Sequence, residues 1–135
     1  MEQTNDRFAY CPYLTAQRLF SGKWALMILC YLRRGPLRFG ELMHFIGSVA
    51  DVTQATLTSN LRRLEQYGLI IRTVYPEVPP RVDYRLSEIG ERINPLLDAI
   101  GDFGMQYIGY MGRTDELCAE ALSETCRCMY PIEDK

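Results

Sequence analysis

The apolar positions of the chain fall into blocks of two different periods. After ten mostly polar residues, Pro12 opens a first helix with Cys11 in the capping position, because proline suits the first helical turn. Leu14, Leu19 and Phe20 are its apolar positions, and Ser21-Gly22 closes it. Trp24, Met27, Ile28, Tyr31 and Leu32 then recur at i, i+3, i+4 spacing, which predicts a second, buried helix over about Lys23 to Arg34. Gly35-Pro36 ends it. A short third helix, about Phe39 to Ile46, carries Phe39, Leu42, Met43 and Ile46 on one side. Gly47 to Asp51 is a loop, and Thr53 is a good N-cap for a fourth helix that runs to Tyr67 and stops at Gly68.

The period then changes to two. Leu69 to Tyr75 reads as a strand, and so does Arg81 to Leu86, where Val82, Tyr84 and Leu86 alternate with Arg81, Asp83 and Arg85. Between them, Pro76-Glu77-Val78-Pro79-Pro80 supplies too few N–H donors for helix or central strand, so the pair is a hairpin with a stiff tip. Ser87 caps a long helix over about Glu88 to Met111, kinked at Pro95. Its stripe is Ile93, Leu96, Leu97, Ile100, Phe103, Tyr107, Ile108 and Met111. A last acidic helical stretch, Asp115 to Ser123, leads into Cys126-Arg127-Cys128. This order predicts a mainly α fold with a small β-hairpin wing, a winged helix-turn-helix with flanking dimerisation helices. The expected organisation is a flexible N-terminus over 1–10, one domain over 11–112 and an acidic, cysteine-containing tail over 113–135.

The fourth helix decides what such a fold would do. At roughly 100° per residue, Leu57, Leu61 and Leu64 share a narrow sector that must face the core. Ala55, Ser59, Arg62 and Gln66 lie opposite, with Thr58 and Arg63 on the flanks. Small residues allow close approach to a major groove, hydroxyls and Gln54 can reach base edges, and arginine can bond guanine or phosphate. The candidate recognition residues are therefore Thr53, Gln54, Ala55, Thr56, Thr58, Ser59, Arg62 and Arg63. An ordinary amphipathic surface helix would show the same pattern, so the hairpin has to add weight. There Arg72, Arg81 and Arg85 flank a tip with a single acid, Glu77. Arginines on a rigid ribbon can touch phosphates or enter a narrow minor groove. A solvated hairpin edge is the alternative, and Asp83, placed among the arginines, can pair with one of them, so not all three need touch DNA.

Charge sharpens the picture only when it is resolved along the chain. The net charge of -2 hides a basic middle: residues 18–85 carry ten basic and five acidic side chains, and residues 86–135 carry four and ten. A nucleic-acid face beside an acidic, differently employed segment fits this split, as do two solvated surfaces. The longest uncharged apolar run, Trp24 to Leu32, is far below the roughly 20 residues of a membrane span, and the N-terminus has no apolar signal core. A cytoplasmic protein with no membrane partner is expected.

The five cysteines, Cys11, Cys30, Cys118, Cys126 and Cys128, are odd in number and argue against a disulfide framework. Cys30 has apolar neighbours and reads as core. Cys118, Cys126 and Cys128 could pair, bind a soft metal or do neither. Three cysteines without C-x-x-C spacing, in a chain with one histidine, make a poor zinc site. No metal and no cofactor is expected. No phosphate-binding glycine loop, nucleophile elbow or paired catalytic carboxylates occur as motifs, so no catalytic residue is assigned. A winged helix that binds only proteins is the rival to a DNA-binding one.

Several strings together resemble the HxlR-type family of prokaryotic winged-helix regulators, which are MarR-like. They are Cys11-Pro12, Gly22-Lys23-Trp24, Arg38-Phe39-Gly40-Glu41-Leu42, and Leu57-Thr58-Ser59-Asn60-Leu61-Arg62-Arg63-Leu64-Glu65 with Gly68-Leu69-Ile70. The fullest likeness is Val74-Tyr75-Pro76-Glu77-Val78-Pro79-Pro80-Arg81-Val82-Asp83-Tyr84-Arg85-Leu86-Ser87, the wing. The resemblance covers about Cys11 to Gly104, and Gly47 to Asp51 is a few residues longer than the family's usual link. It implies double-stranded DNA as partner, a homodimer through the first and last long helices, and a phosphate contact from Arg38. The interface residues so implied are Leu14, Ile93, Leu96, Leu97, Ile100, Phe103, Tyr107 and Ile108. The length of the apolar stripe points to the same partner helix, unless the stripe packs on the chain's own first helix. Some members sense oxidants or electrophiles through a cysteine near the N-terminus, and Cys11 matches that position. A helix N-terminus favours a nearby anion, which suits a reactive sulfur, while plain packing remains the alternative. An oxidant or small-molecule effector is thus open.

Overall fold

A computed structural model describes residues 11–116. The expected flexible segment 1–10, the acidic stretch past Glu116, and Cys118, Cys126 and Cys128 lie outside the described residues.

Among the described residues, six helices and a three-stranded sheet follow in the order α1 (Pro12–Leu19), α2 (Ala25–Leu32), β1 (Leu37–Arg38), α3 (Phe39–Gly47), α4 (Gln54–Gln66), β2 (Ile70–Tyr75), β3 (Arg81–Leu86), α5 (Glu88–Glu91) and α6 (Asn94–Tyr110). A 3₁₀ turn, Thr114–Glu116, comes last. The core lies between α2, α3, α4 and the sheet. Ile28, Leu29, Leu42, Ile46, Leu57, Leu61, Leu64 and Ile70 are all but sealed from solvent there. Each such side chain contributes about 1.5–3 kcal/mol of burial. Because α2 is packed on several sides, Ala25, Ile28, Leu29, Tyr31 and Leu32 are all buried, more than the single stripe seen in the sequence.

The sheet order is β1-β3-β2, with both pairings antiparallel. Strand β1 went unseen in the sequence, since two residues carry no periodicity. Leu37 pairs with Tyr84 and Arg38 with Asp83, which ties the start of α3 to the wing. Gly68, at φ +78°, makes the sharp exit from α4 into β2, a conformation that costs glycine little.

The expected single helix over 88–111 is two helices. Ser87 caps α5, its Oγ accepting from the Gly90 N–H at 3.1 Å, and the chain turns at Arg92 and Ile93 before α6 begins. Pro95 explains the break. It has no N–H to offer residue 91, and its ring would collide with that carbonyl, so it is accommodated only in the first turn of a new helix.

Helix α6 is held to the body by Leu97, which is buried, and by a 2.8 Å ion pair from Arg33 Nη2 to Asp98 Oδ1. The Arg33 side chain is 5% exposed and that of Asp98 37%. Asp98→Ala would strand a buried guanidinium. Because the carboxylate is partly solvated, the expected cost is about 2 kcal/mol, below the roughly 3–5 kcal/mol of a fully buried pair. Chemical denaturation measures it, and an unchanged midpoint would show that the pair does not anchor α6.

Candidate nucleic-acid interface

Helix α4 starts as its sequence demands. Thr53 is extended, and its Oγ1 accepts the Thr56 N–H at 3.2 Å. The two hydroxyls also bond each other at 2.8 Å. Thr53 and Thr56 are therefore both engaged in starting the helix, Thr53 exposed and Thr56 half-buried. The other candidates stand where expected. Gln54, Ala55, Ser59, Arg62 and Arg63 are exposed and Thr58 is half-buried. With Gln66 they line an open concavity of about 700 Å³. The Arg62 side chain makes no ion pair or hydrogen bond among the described residues, whereas Arg63 Nη1 donates to Ser21 Oγ at 3.3 Å.

The inner side of α4 holds a residue the sequence reading gave no role. Asn60 sits beside Leu57, Leu61 and Leu64 and is 7% exposed. Its signal was a lone amide at an apolar position.

The wing arginines divide. Directly paired residues of an antiparallel ladder point to the same face. The register puts Arg85 opposite Ile71, Asp83 opposite Thr73 and Arg38, and Arg81 opposite Tyr75, all on one face. Arg72, paired with Tyr84, belongs to the other face, with Ile70 and Leu86. A duplex lying on one face of the wing cannot meet all three.

Arg81 is committed within the hairpin. Its guanidinium lies 4.0 Å from the centre of the Tyr75 ring, with Asp83 at 3.6 Å and Glu77 at 3.9 Å. Asp83 also stands 3.9 Å from Arg38, whose side chain is 59% exposed at the N-cap of α3. The Arg38 N–H donates to Glu41 Oε1 at 3.0 Å, which satisfies the backbone donor at the start of α3. Arg38 and Arg85 are thus the accessible cations of this face, and Arg81 braces the tip.

On α6 the exposed stripe is Leu96, Ile100, Phe103, Tyr107 and Tyr110, and Phe103 is 66% exposed. At roughly 100° per residue these five fall within about 80° of one another. Leu97 is part of the chain's own core, and Ile93 packs against that core, so both are removed from the exposed set. Leu14 and Ile108 are half-buried. Helix α1 buries none of its residues and does not cover the stripe.

Cys11 caps α1 with its backbone only and is half-buried. Cys30 packs against the core from α2. Burial pushes its thiol up, opposed by the Arg33 charge and reinforced by Asp98. No group of three His, Cys, Asp or Glu side chains among the described residues could hold a metal, and no helix among them is long and apolar enough to cross a membrane.

The HxlR-like helix-turn-helix model matches residues 19–111, from the end of α1 through α6. The chain belongs to that family. A transcriptional regulator of the helix-turn-helix type from Methanothermobacter thermautotrophicus is 42% identical over 106 residues, 78% of this chain and 79% of that one. The regulator YdeP of Bacillus subtilis is 36% identical over 124 residues, 92% of each. Among solved structures, the redox regulator HypR in its oxidised form superposes with a TM-score of 0.66 at 32% identity, covering 71% of this chain and 96% of that one. The protein is accordingly a DNA-binding transcriptional regulator with a winged helix-turn-helix and not an enzyme.

Proposed function

We propose that the chain works as a homodimer that places two copies of α4 in successive major grooves of a near-palindromic operator. The observation that carries this is the outward face of α4, where small and hydroxylic residues leave room for a base-pair edge beside Arg62, whose side chain is unengaged among the described residues. In this reading Gln54, Ala55, Thr58, Ser59 and Arg62 face bases, Arg63 reaches the flank, and Arg38 and Arg85 hold phosphate. The stripe on α6 that the described residues leave exposed supports the dimer, since apolar surface of this kind is seldom left in water. The test is stoichiometry. Sedimentation should give a particle of twice the 15.6 kDa chain mass, and one such particle per selected duplex. A monomer at micromolar concentration, or one chain per operator, would end the two-helix reading.

Thiol control through Cys11 is the second part of the proposal. It is supported by the cap position of Cys11, by the likeness to a redox regulator, and by the burial that pushes the Cys30 thiol up. In protein with Cys118, Cys126 and Cys128 replaced by serine, a maleimide should label Cys11 before Cys30. Diamide should weaken operator binding, and Cys11→Ser should bind normally and ignore diamide. Unchanged affinity after diamide with Cys11 intact would assign that thiol to packing.

A further inference from the structure

We infer that Asn60 is a positioning residue that fixes α4 against the α1–α2 turn and so sets the distance at which a dimer presents its two recognition helices. The inference rests on the two-fold operator reading above.

The amide is held at both ends. Its Nδ2 donates to the Thr56 carbonyl one turn back at 2.8 Å, which fixes the orientation of the group. Its Oδ1 then accepts the Trp24 N–H at 3.2 Å, across 36 residues of sequence. Trp24 is the N-cap of α2, so this bond also serves a donor at the helix start. The turn lies so close to α4 that Gly22 has no room for a side chain, because a Cβ there would overlap Asn60 Oδ1. One residue earlier, Ser21 Oγ accepts from Arg63 Nη1 at 3.3 Å and donates to the Arg18 carbonyl at 2.8 Å. Residues 21, 22 and 24 therefore each meet α4.

The position of this latch gives it its consequence. Helix α1 buries none of its own residues, and its C-terminal end is where Leu19 and Phe20 meet the core. Trp24 also starts α2, and Arg33 at the far end of α2 holds α6 through Asp98, so the latch lies between the reading helix and the stripe proposed as the interface. Leu57, Leu61 and Leu64 seat α4 against the core by close packing. The two directional hydrogen bonds of Asn60 add a fixed orientation against the turn that apolar contacts alone do not supply. One base pair of spacing corresponds to about 3.4 Å along the duplex, so a slide or rotation of that order matters for two linked helices.

The experiment compares half-site spacing. Duplexes carry the wild-type-selected operator with its half-sites at the selected spacing, or one base pair closer or further apart. Wild type should favour the selected spacing by tenfold or more. Asn60→Leu should bring that preference below threefold, while dimer mass, affinity for random duplex and its salt slope stay as in wild type. Asn60→Ser, smaller and unable to reach Trp24, should behave the same and answers the question if the leucine variant does not fold. A purely structural role would instead lower all affinities together. Wild-type preference retained in a folded variant would overturn the inference alone. A wild type indifferent to spacing would overturn the two-fold reading and this inference with it.

Discussion

Replacing Phe103 and Tyr107 together by glutamate should turn the protein into a monomer and lower operator affinity at least a hundredfold. Both side chains lie on the exposed stripe of α6, at 66% and 51% exposure, so the chain's own core loses nothing by the change. In a two-fold interface each substituted position recurs on the partner, so two changes place four carboxylates in one apolar seam. Burial worth about 1.5–3 kcal/mol per large apolar side chain is lost, and uncompensated charge is added. DNA affinity then falls for a separate reason. A second half-site held by a linked protomer is bound at an effective concentration that multiplies affinity by about 10²–10⁴, and a monomer forfeits it. Sedimentation and fluorescence anisotropy measure the two effects. A variant that stays dimeric would move the interface elsewhere, and a monomer with full operator affinity would remove the need for one.

The second large effect is expected at Arg62. Arg62→Ala should cost ~1–3 kcal/mol on the selected operator, which is about fivefold to more than a hundredfold, and relax preference at one base position per half-site. Random duplex should lose little. Arg85→Ala, on the wing face that also carries Arg38, should weaken every sequence alike and reduce the salt slope by about one. Arg81 is a different case. Its guanidinium is spent on Tyr75, Asp83 and Glu77, so Arg81→Ala should act by loosening the wing, with a lower melting temperature as its sign. Equal losses on operator and random DNA for Arg62→Ala would make it a phosphate contact.

Where local chemistry decides an element, the sequence was legible. Thr53, the Leu57, Leu61, Leu64 spacing and Gly68 mark α4 to within a residue, and the alternation from Arg81 to Leu86 marks β3. The outward face of α4 followed from the same spacing. What could not be read depends on contacts between segments distant in the chain. Strand β1 exists because β3 offers it an edge, and two residues have no period of their own. Leu97 and Leu96 look alike in sequence, but the Arg33–Asp98 pair and the core behind α2 bury one and leave the other out. That Asp83 can pair with one of the wing arginines is legible, but only the register, which brings Tyr75 opposite Arg81, shows which one is held. Pro95 was legible as a disturbance and Ser87 as the cap that starts the segment, but whether the helix bends or stops at Pro95 is not written in the local spacing. Asn60 escaped because its partner, the Trp24 N–H, lies in another helix start.

The most direct test of the account is a footprint on DNA that the purified, reduced protein selects from a random pool. The account predicts two protected half-sites related by a two-fold axis, with centres roughly 10 base pairs apart or a multiple of that. A single protected patch with no internal two-fold repeat, or a pool in which no sequence is enriched, would contradict it.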